Sequence, residues 1–141
     1  MILDYYGEKH DPRALKAMAT PPGSTFPGTY ADDLRAAVHK LGYEWQTECF
    51  SQDGAGFAKG LPRLKRDVLE GHPVMVGIHR PPIGHVVVLV GFDETTHELS
   101  FVDPGQYAPG IMTMDEDDFR LYWREDILTG RCATFTRPKR A

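Results

Sequence analysis

Apolar side chains recur at helical spacing in the first half of the chain, and capping residues or glycines bound these stretches. Asp11 and Pro12 are typical of a helix start, whereas Gly7 and Gly42 are typical of helix ends. The predicted helices cover residues 1–6, 13–18, 32–41 and 61–70, the third of them capped within residues 29–32. Residues 51–60 are predicted to form a loop.

In the second half of the chain, valine and isoleucine are concentrated in short runs. Residues typical of turns lie between these runs. These runs, with one loosely alternating stretch before them, predict strands over residues 43–50, 73–78, 85–92, 98–102 and 131–136. Thr113 and Glu116 fit a capping box for a further helix that runs through Phe119 to Trp123. Helices therefore come first and a largely antiparallel sheet follows, which indicates the α+β fold class.

The composition is that of one globular domain. The chain has 141 residues, of which 41% are hydrophobic and 26% are charged, so wholesale disorder is excluded. Eleven prolines and fourteen glycines imply many turns, which excludes a helical bundle. We therefore expect residues 1–141 to form a single domain.

The charge and the apolar runs exclude two classes of partner. Sixteen basic and twenty acidic residues give a net charge of -4, which argues against a general nucleic-acid binder. The longest dense apolar run, residues 86–90, is far too short to cross a bilayer. Asp4 and Glu8 interrupt the N-terminus where a signal peptide would be basic and then apolar, so a cytoplasmic location is expected.

The two cysteines, Cys49 and Cys132, do not form a disulfide framework. They could pair in an oxidising compartment, but two reduced and inert thiols are the simpler interpretation. Neither follows a helix N-terminus, which would lower the pKa of a reactive thiol. His72, His79 and His85 lie in one region without the spacing of a zinc site, so no metal site is expected.

His85 and Asp103 stand at positions where a hairpin would bring them together. His85 begins a very apolar strand, and Asp103 follows the end of the next strand. If the two strands pair antiparallel, these side chains meet at one rim of the sheet, where a carboxylate can orient an imidazole. The alternative is a structural histidine beside an aspartate that precedes a turn proline, and spacing alone favours this alternative.

Several segments resemble the papain-like cysteine peptidases of the bacteriocin-processing type, the C39 family and its C39-like relatives. Gly71 to Ile78, Gly84 to Asp93 and Phe101 to Pro104 are similar to the helix end, the Gly-His strand and the Asp-Pro strand end of that family. Gly28 to Leu34 and Thr113 to Trp123 are similar to its flanking helices. The resemblance therefore covers nearly the whole chain and implies a papain-like fold, with helices packed on a mainly antiparallel sheet.

The resemblance also implies roles for the histidine and the aspartate. His85 takes the place of the family's general base, and Asp103 takes the place of the residue that orients this base. The family's nucleophilic cysteine and oxyanion-hole glutamine lie at the start of a helix whose end Met1 to Gly7 resembles. We therefore expect the nucleophile to fall before Met1, so that the chain is truncated relative to the family.

Three functions remain open. The first is a cysteine peptidase domain that cleaves peptide or protein substrates through a Cys-His-Asp set whose cysteine this chain does not contain. This chemistry needs no metal or organic cofactor. The second is a non-catalytic module that binds a peptide beside His85, in a groove walled by Pro81, Pro82 and Tyr107. The third is a thiol acyltransferase on the same fold, which differs only in the acceptor that the site admits. The sequence does not indicate an oligomeric state.

Overall fold

The computed structural model describes residues 1–25, 31–80, 83–103, 111–124 and 130–139. Its helices are α1 (Ile2–Tyr5), α2 (Pro12–Ala19), α3 (Ala31–Lys40), α4 (Gly54–Leu69) and α5 (Glu116–Tyr122). Its strands are β1 (Tyr43–Phe50), β2 (Val74–Arg80), β3 (Ile83–Asp93), β4 (Glu98–Val102), β5 (Ile111–Asp115) and β6 (Arg131–Pro138).

The strands form one six-stranded sheet in the order β1-β6-β2-β3-β4-β5. β2 pairs antiparallel with β3 and β6, β3 pairs antiparallel with β4, and β4 pairs antiparallel with β5. The α+β class and the mainly antiparallel sheet are therefore confirmed.

The chain divides into two compact units. Unit 1 consists of Met1–Trp45 and Thr136–Ala141, and unit 2 consists of Gln46–Phe135. Unit 2 contains α4, α5 and strands β2 to β5, together with parts of β1 and β6. The residues with candidate chemistry, His85, Asp103 and both cysteines, all belong to unit 2.

The core of unit 2 lies where α4 and α5 pack on the sheet. Trp123 and Phe119 are fully buried, and their rings stack with centroids 5.0 Å apart. The indole N–H of Trp123 donates a hydrogen bond to the carbonyl of Cys132 at 2.9 Å, so the one polar atom of this ring is satisfied. The same cluster contains Ile78 of β2 and Phe101 of β4, so these two strands share the apolar core with α4 and α5.

Helix α4 begins seven residues before the predicted helix, so the expected loop over residues 51–60 is wrong. Asp53 caps the helix by accepting hydrogen bonds from the Gly56 N–H at 2.8 Å and the Ser51 hydroxyl at 2.6 Å. Glycines disfavour a helix in isolation, which is why the sequence did not predict this helix start, but close contacts require two of them here. A Cβ atom at Gly56 would overlap the Ser51 carbonyl, and one at Gly60 would lie 2.6 Å from the Trp123 ring.

The capping box expected at Thr113 and Glu116 is also wrong. Thr113 lies inside strand β5, and Asp115 caps α5 by accepting a hydrogen bond from the Asp118 N–H at 2.8 Å. Pairing with β4 across five register positions decides the conformation of this stretch, and a local capping pattern does not contain that information. The predicted cap of α3 falls on residues 29–32; residues 29 and 30 lie outside the described residues.

Tyr6 links the first turn of unit 1 to its last strand. Its hydroxyl donates a hydrogen bond to the Thr136 carbonyl at 2.6 Å, and its ring lies 5.4 Å from that of Tyr43. Burial, with smaller contributions from Tyr5 and Tyr43, raises the pKa of Tyr6 to about 12.

We expect this tyrosine to make unit 1 sensitive to alkali. Because the folded pKa of Tyr6 exceeds the unfolded value of 10.0, its contribution to stability is complete below pH 10 and is lost as the pH approaches 12. Thermal melts of wild type and Tyr6→Phe should therefore differ most at neutral pH and converge as the pH rises above 10. A constant difference across this range would contradict the assignment.

Candidate active site

The register of β3 and β4 places His85 and Asp103 on one face of the sheet. Val88 lies opposite Val102, so Asp103 comes level with Val87 one step further along the ladder. His85 is two residues from Val87 and therefore points to the same side of β3. The two candidate residues are thus diagonal neighbours across the strand pair, within reach of long side chains.

The side chains of His85 and Asp103 meet. Nε2 of His85 lies 2.5 Å from Oδ1 of Asp103, and the predicted juxtaposition is confirmed. The imidazole is 33% exposed, whereas the carboxylate is only 8% exposed. Because Nε2 faces the carboxylate, Nδ1 is the ring nitrogen left to face a reacting group.

The histidine rests on the apolar core. Ile78, its cross-strand partner on β2, is 1% exposed, and Val87, two residues along β3, is fully buried. Ile78 is also bridged to Trp123 on its other side. The main chain that holds the imidazole is therefore fixed by packed neighbours, which is what an orienting role requires.

The two cysteines form a disulfide. Cys49 on β1 is joined to Cys132 on β6, so the expectation of two reduced thiols is wrong, and the chain has no free cysteine. The pairing depends on two strands that are adjacent in the sheet and 83 residues apart in the sequence. No local sequence pattern predicts a disulfide between residues this far apart. Neither cysteine therefore provides a free thiol for His85 to activate.

One cluster has the donor atoms of a metal site. Carboxylates of Glu94 and Glu116 and a ring nitrogen of His97 lie within 4.8 Å of one another. The ammonium of Lys65 lies 2.9 Å from Glu94 and 2.5 Å from Glu116. Burial lowers the pKa of Lys65, but hydrogen bonds to Glu116 and Glu94 outweigh it, so that the pKa is raised. The lysine therefore supplies the positive charge that these carboxylates need.

The expected walls of a peptide groove, Pro81, Pro82 and Tyr107, lie outside the described residues.

No helix in the described part of the chain combines the length and the apolar character that a membrane crossing requires.

Comparison with known proteins gives one family. Residues 1–127 match the model of the peptidase C39-like family. A search of curated proteins finds no significant match.

Several solved structures share the fold. The peptidase domain of Streptococcus ComA, a bifunctional ABC transporter involved in quorum sensing, aligns over 98% of this chain and 85% of its own, with 18% identity and a TM-score of 0.69. A double glycine motif protease from an AMS/PCAT transporter, in complex with the leader peptide, aligns over 99% and 79%, with 18% identity and a TM-score of 0.64. The peptidase C39-like domain of a Vibrio parahaemolyticus toxin secretion protein aligns over 96% and 89%, with 15% identity and a TM-score of 0.59.

Proposed function

The chain belongs to the peptidase C39-like family, and we propose on that premise that it is a papain-like cysteine peptidase domain that cleaves peptide bonds. His85 is the general base, and Asp103 is the residue that positions it. The observation that carries the proposal is the 2.5 Å contact between His85 Nε2 and the buried carboxylate of Asp103. The family's papain-like fold and the exposed edge of the imidazole support it.

The contact between His85 Nε2 and Asp103 leaves Nδ1 of His85 as the atom that takes and returns protons. Nδ1 of His85 takes the proton of a thiol, and the thiolate attacks the carbonyl carbon of the scissile bond. Asp103 stabilises the imidazolium that results. When the C–N bond breaks, Nδ1 returns the proton to the leaving amine, and a thioester remains on the enzyme. His85 then takes a proton from water, whose oxygen attacks the thioester, and the thiol leaves with that proton.

The attacking thiol is neither of the two cysteines in these 141 residues. Cys49 and Cys132 are bonded to each other, and a disulfide sulfur does not supply a thiolate. We therefore propose that the nucleophile is a cysteine that these residues do not include, which matches the expectation from the resemblance. In that arrangement His85 and Asp103 provide the base and its orienting group, and a further segment provides the thiol.

The proposed substrate is a peptide. The AMS/PCAT protease, which shares this fold, is a double glycine motif protease that was solved with a leader peptide. A peptide with two consecutive glycines is therefore the first substrate to test with the natural protein. Mass spectrometry should find cleavage at one bond, and loss of that cleavage in His85→Ala would support the assignment. Cleavage that continues unchanged in His85→Ala would contradict it.

His97→Asn is the matched control for the loss of a histidine. His97 belongs to the same unit, is 69% exposed and has a φ of 57°, which asparagine tolerates better than most residues. This variant should cleave the peptide at the wild-type rate.

One observation favours a second candidate function, peptide binding without cleavage. Because the described chain has no free cysteine, the 141 residues alone offer a base and an orienting group without a nucleophile. If the natural protein binds the double-glycine peptide but releases it intact, this second function replaces the first.

A further inference from the structure

A pocket in unit 2 carries three arginines. It has a volume of about 220 Å³ and is lined by Gln52, Arg120, Leu121, Trp123, Arg124 and Arg131. None of these residues belongs to the His85–Asp103 pair, and the proposed chemistry does not use them.

Arg131 is built into this pocket. Its side chain is only 6% exposed, and it begins strand β6. Nη1 donates hydrogen bonds to the carbonyls of Arg120 at 2.6 Å and Trp123 at 3.1 Å, and Nη2 donates to that of Gln52 at 2.8 Å. These bonds fix the guanidinium. Its Nε is buried and finds no acceptor among the residues that the structure describes.

Two of the three arginines, Arg120 and Arg131, lie over one aromatic ring, and the charge of Asp53 acts on one of them. The guanidinium carbons of Arg120 and Arg131 lie 5.0 Å and 5.3 Å from the centre of the Phe57 ring. Burial, and then the charge of Arg120, lower the pKa of Arg131, while Asp53 opposes this shift. The Asp53 carboxylate accepts hydrogen bonds from Ser51 and the Gly56 N–H. The described residues that line the cavity thus include three arginines and no carboxylate.

We propose that this pocket binds a carboxylate side chain of a peptide ligand. Guanidinium groups bind carboxylates through paired, charge-assisted hydrogen bonds, and Arg120 and Arg124 line the cavity beside the fixed Arg131. Leu121, which is 70% exposed, gives the cavity an apolar side chain against which the methylene groups of a glutamate can pack. The mixed lining favours an acidic side chain over a bare inorganic anion.

The position of the pocket relates it to the proposed peptidase site, and this step depends on the proposed function. Ile78 pairs with His85 on one side and is bridged to Trp123 on the other. Two strand spacings, about 10 Å in total, therefore separate His85 from the pocket wall. An extended peptide covers that distance in about three residues. The pocket then selects substrates with an acidic residue about three positions from the scissile bond.

The binding step can be tested without cleavage, on the full chain. The probe is N-acetyl-glutamate N-methylamide, and its neutral match is N-acetyl-glutamine N-methylamide. We expect the glutamate probe to shift the Nε–H resonance of Arg131 saturably in a proton–nitrogen correlation spectrum. The glutamine probe should bind about tenfold more weakly, since it lacks the charge. Equal affinities, or no saturable shift, would overturn the proposal.

Variants test whether the probe binds in this pocket and whether the chain's own carboxylates occupy it. Arg120→Gln and Arg124→Gln should each weaken binding of the glutamate probe by about fivefold, corresponding to about 1 kcal/mol. Arg66→Gln, an exposed arginine of α4 outside the pocket, should leave the affinity unchanged. Glu125 and Asp126 follow Arg124 in the sequence. If the probe binds only to the Glu125→Gln/Asp126→Asn variant, the chain's own carboxylates fill the pocket and the proposal fails.

Failure of this proposal is distinguishable from failure of the peptidase. Probe binding in a protein that cleaves no peptide leaves the pocket in place and removes the proposed function. Cleavage with equal rates for peptides that carry glutamate or glutamine three residues from the double glycine, on either side, overturns the selectivity and retains the peptidase.

Discussion

The His85→Ala variant of the natural protein is expected to lose about 10³-fold in kcat/KM for a double-glycine peptide, because a positioned general base contributes about 10²- to 10⁴-fold. His85 stands at the edge of the core with Nε2 against Asp103, so its removal takes away the proton acceptor and leaves a buried carboxylate without this partner. The measurement is the initial rate of peptide cleavage at several substrate concentrations. A decrease of less than threefold would contradict the role of His85.

Asp103→Asn separates orientation from base chemistry. The amide can still contact Nε2, but it carries no charge and can favour the wrong tautomer, so we expect a loss in kcat of about 10²-fold or more with little change in KM. His97→Asn should retain wild-type kinetics. Thermal melts of all three variants, measured beside the rates, show whether a loss of activity reflects unfolding; an Asp103→Asn variant that is folded and fully active would contradict the positioning role.

Reduction of the Cys49–Cys132 disulfide is expected to lower the free energy of unfolding by about 4 kcal/mol, since the bond closes a long loop in the unfolded chain. The two cysteines are 83 residues apart, and they tie the edge strand β1 to its neighbour β6. Urea unfolding followed by tryptophan fluorescence, with and without dithiothreitol, measures the difference. An unchanged unfolding midpoint in dithiothreitol would contradict the stabilising role.

The double variant Cys49→Ala/Cys132→Ala is the control for this prediction. It should unfold near the midpoint of the reduced wild type and should not respond to dithiothreitol. A response of the double variant would mean that the reductant acts somewhere other than this bond.

The disulfide also bears on the compartment in which the protein acts. The N-terminal sequence predicts a cytoplasmic location, and this stays a prediction. Disulfides persist in oxidising compartments and are rare in the cytosol. The fraction of Cys49 and Cys132 that is oxidised in intact cells therefore tests the predicted location. Reduced cysteines would agree with a cytoplasmic location, and a disulfide would indicate an oxidising compartment.

The strand pair that carries the site could be predicted from the sequence because its pattern is local. β3 is a dense apolar run, β4 follows after a short turn, and an antiparallel hairpin brings the start of one to the end of the other. That geometry was enough to place His85 beside Asp103. The sequence could not show that the Asp103 carboxylate is buried, because burial depends on the packing around it.

Tertiary contacts decided the features that the sequence did not predict. Gly56 and Gly60 are unfavourable in an isolated helix, yet they allow α4 to approach Ser51 and Trp123 closely. The disulfide and the arginine pocket bring together residues from distant parts of the chain, such as Gln52 and Arg131, which bond to each other. Spacing along the chain contains no information about such contacts.

The central claim is that His85 and Asp103 serve a thiol nucleophile, and alkylation of the natural protein tests it most directly. The protein is isolated from its own cells, treated with iodoacetamide without reductant, assayed for cleavage and analysed by mass spectrometry. The disulfide protects Cys49 and Cys132 from the reagent. The account predicts an intact mass above the 15.8 kDa of these residues, one alkylated cysteine outside them, and loss of cleavage on alkylation. Cleavage that survives with no cysteine alkylated would contradict it.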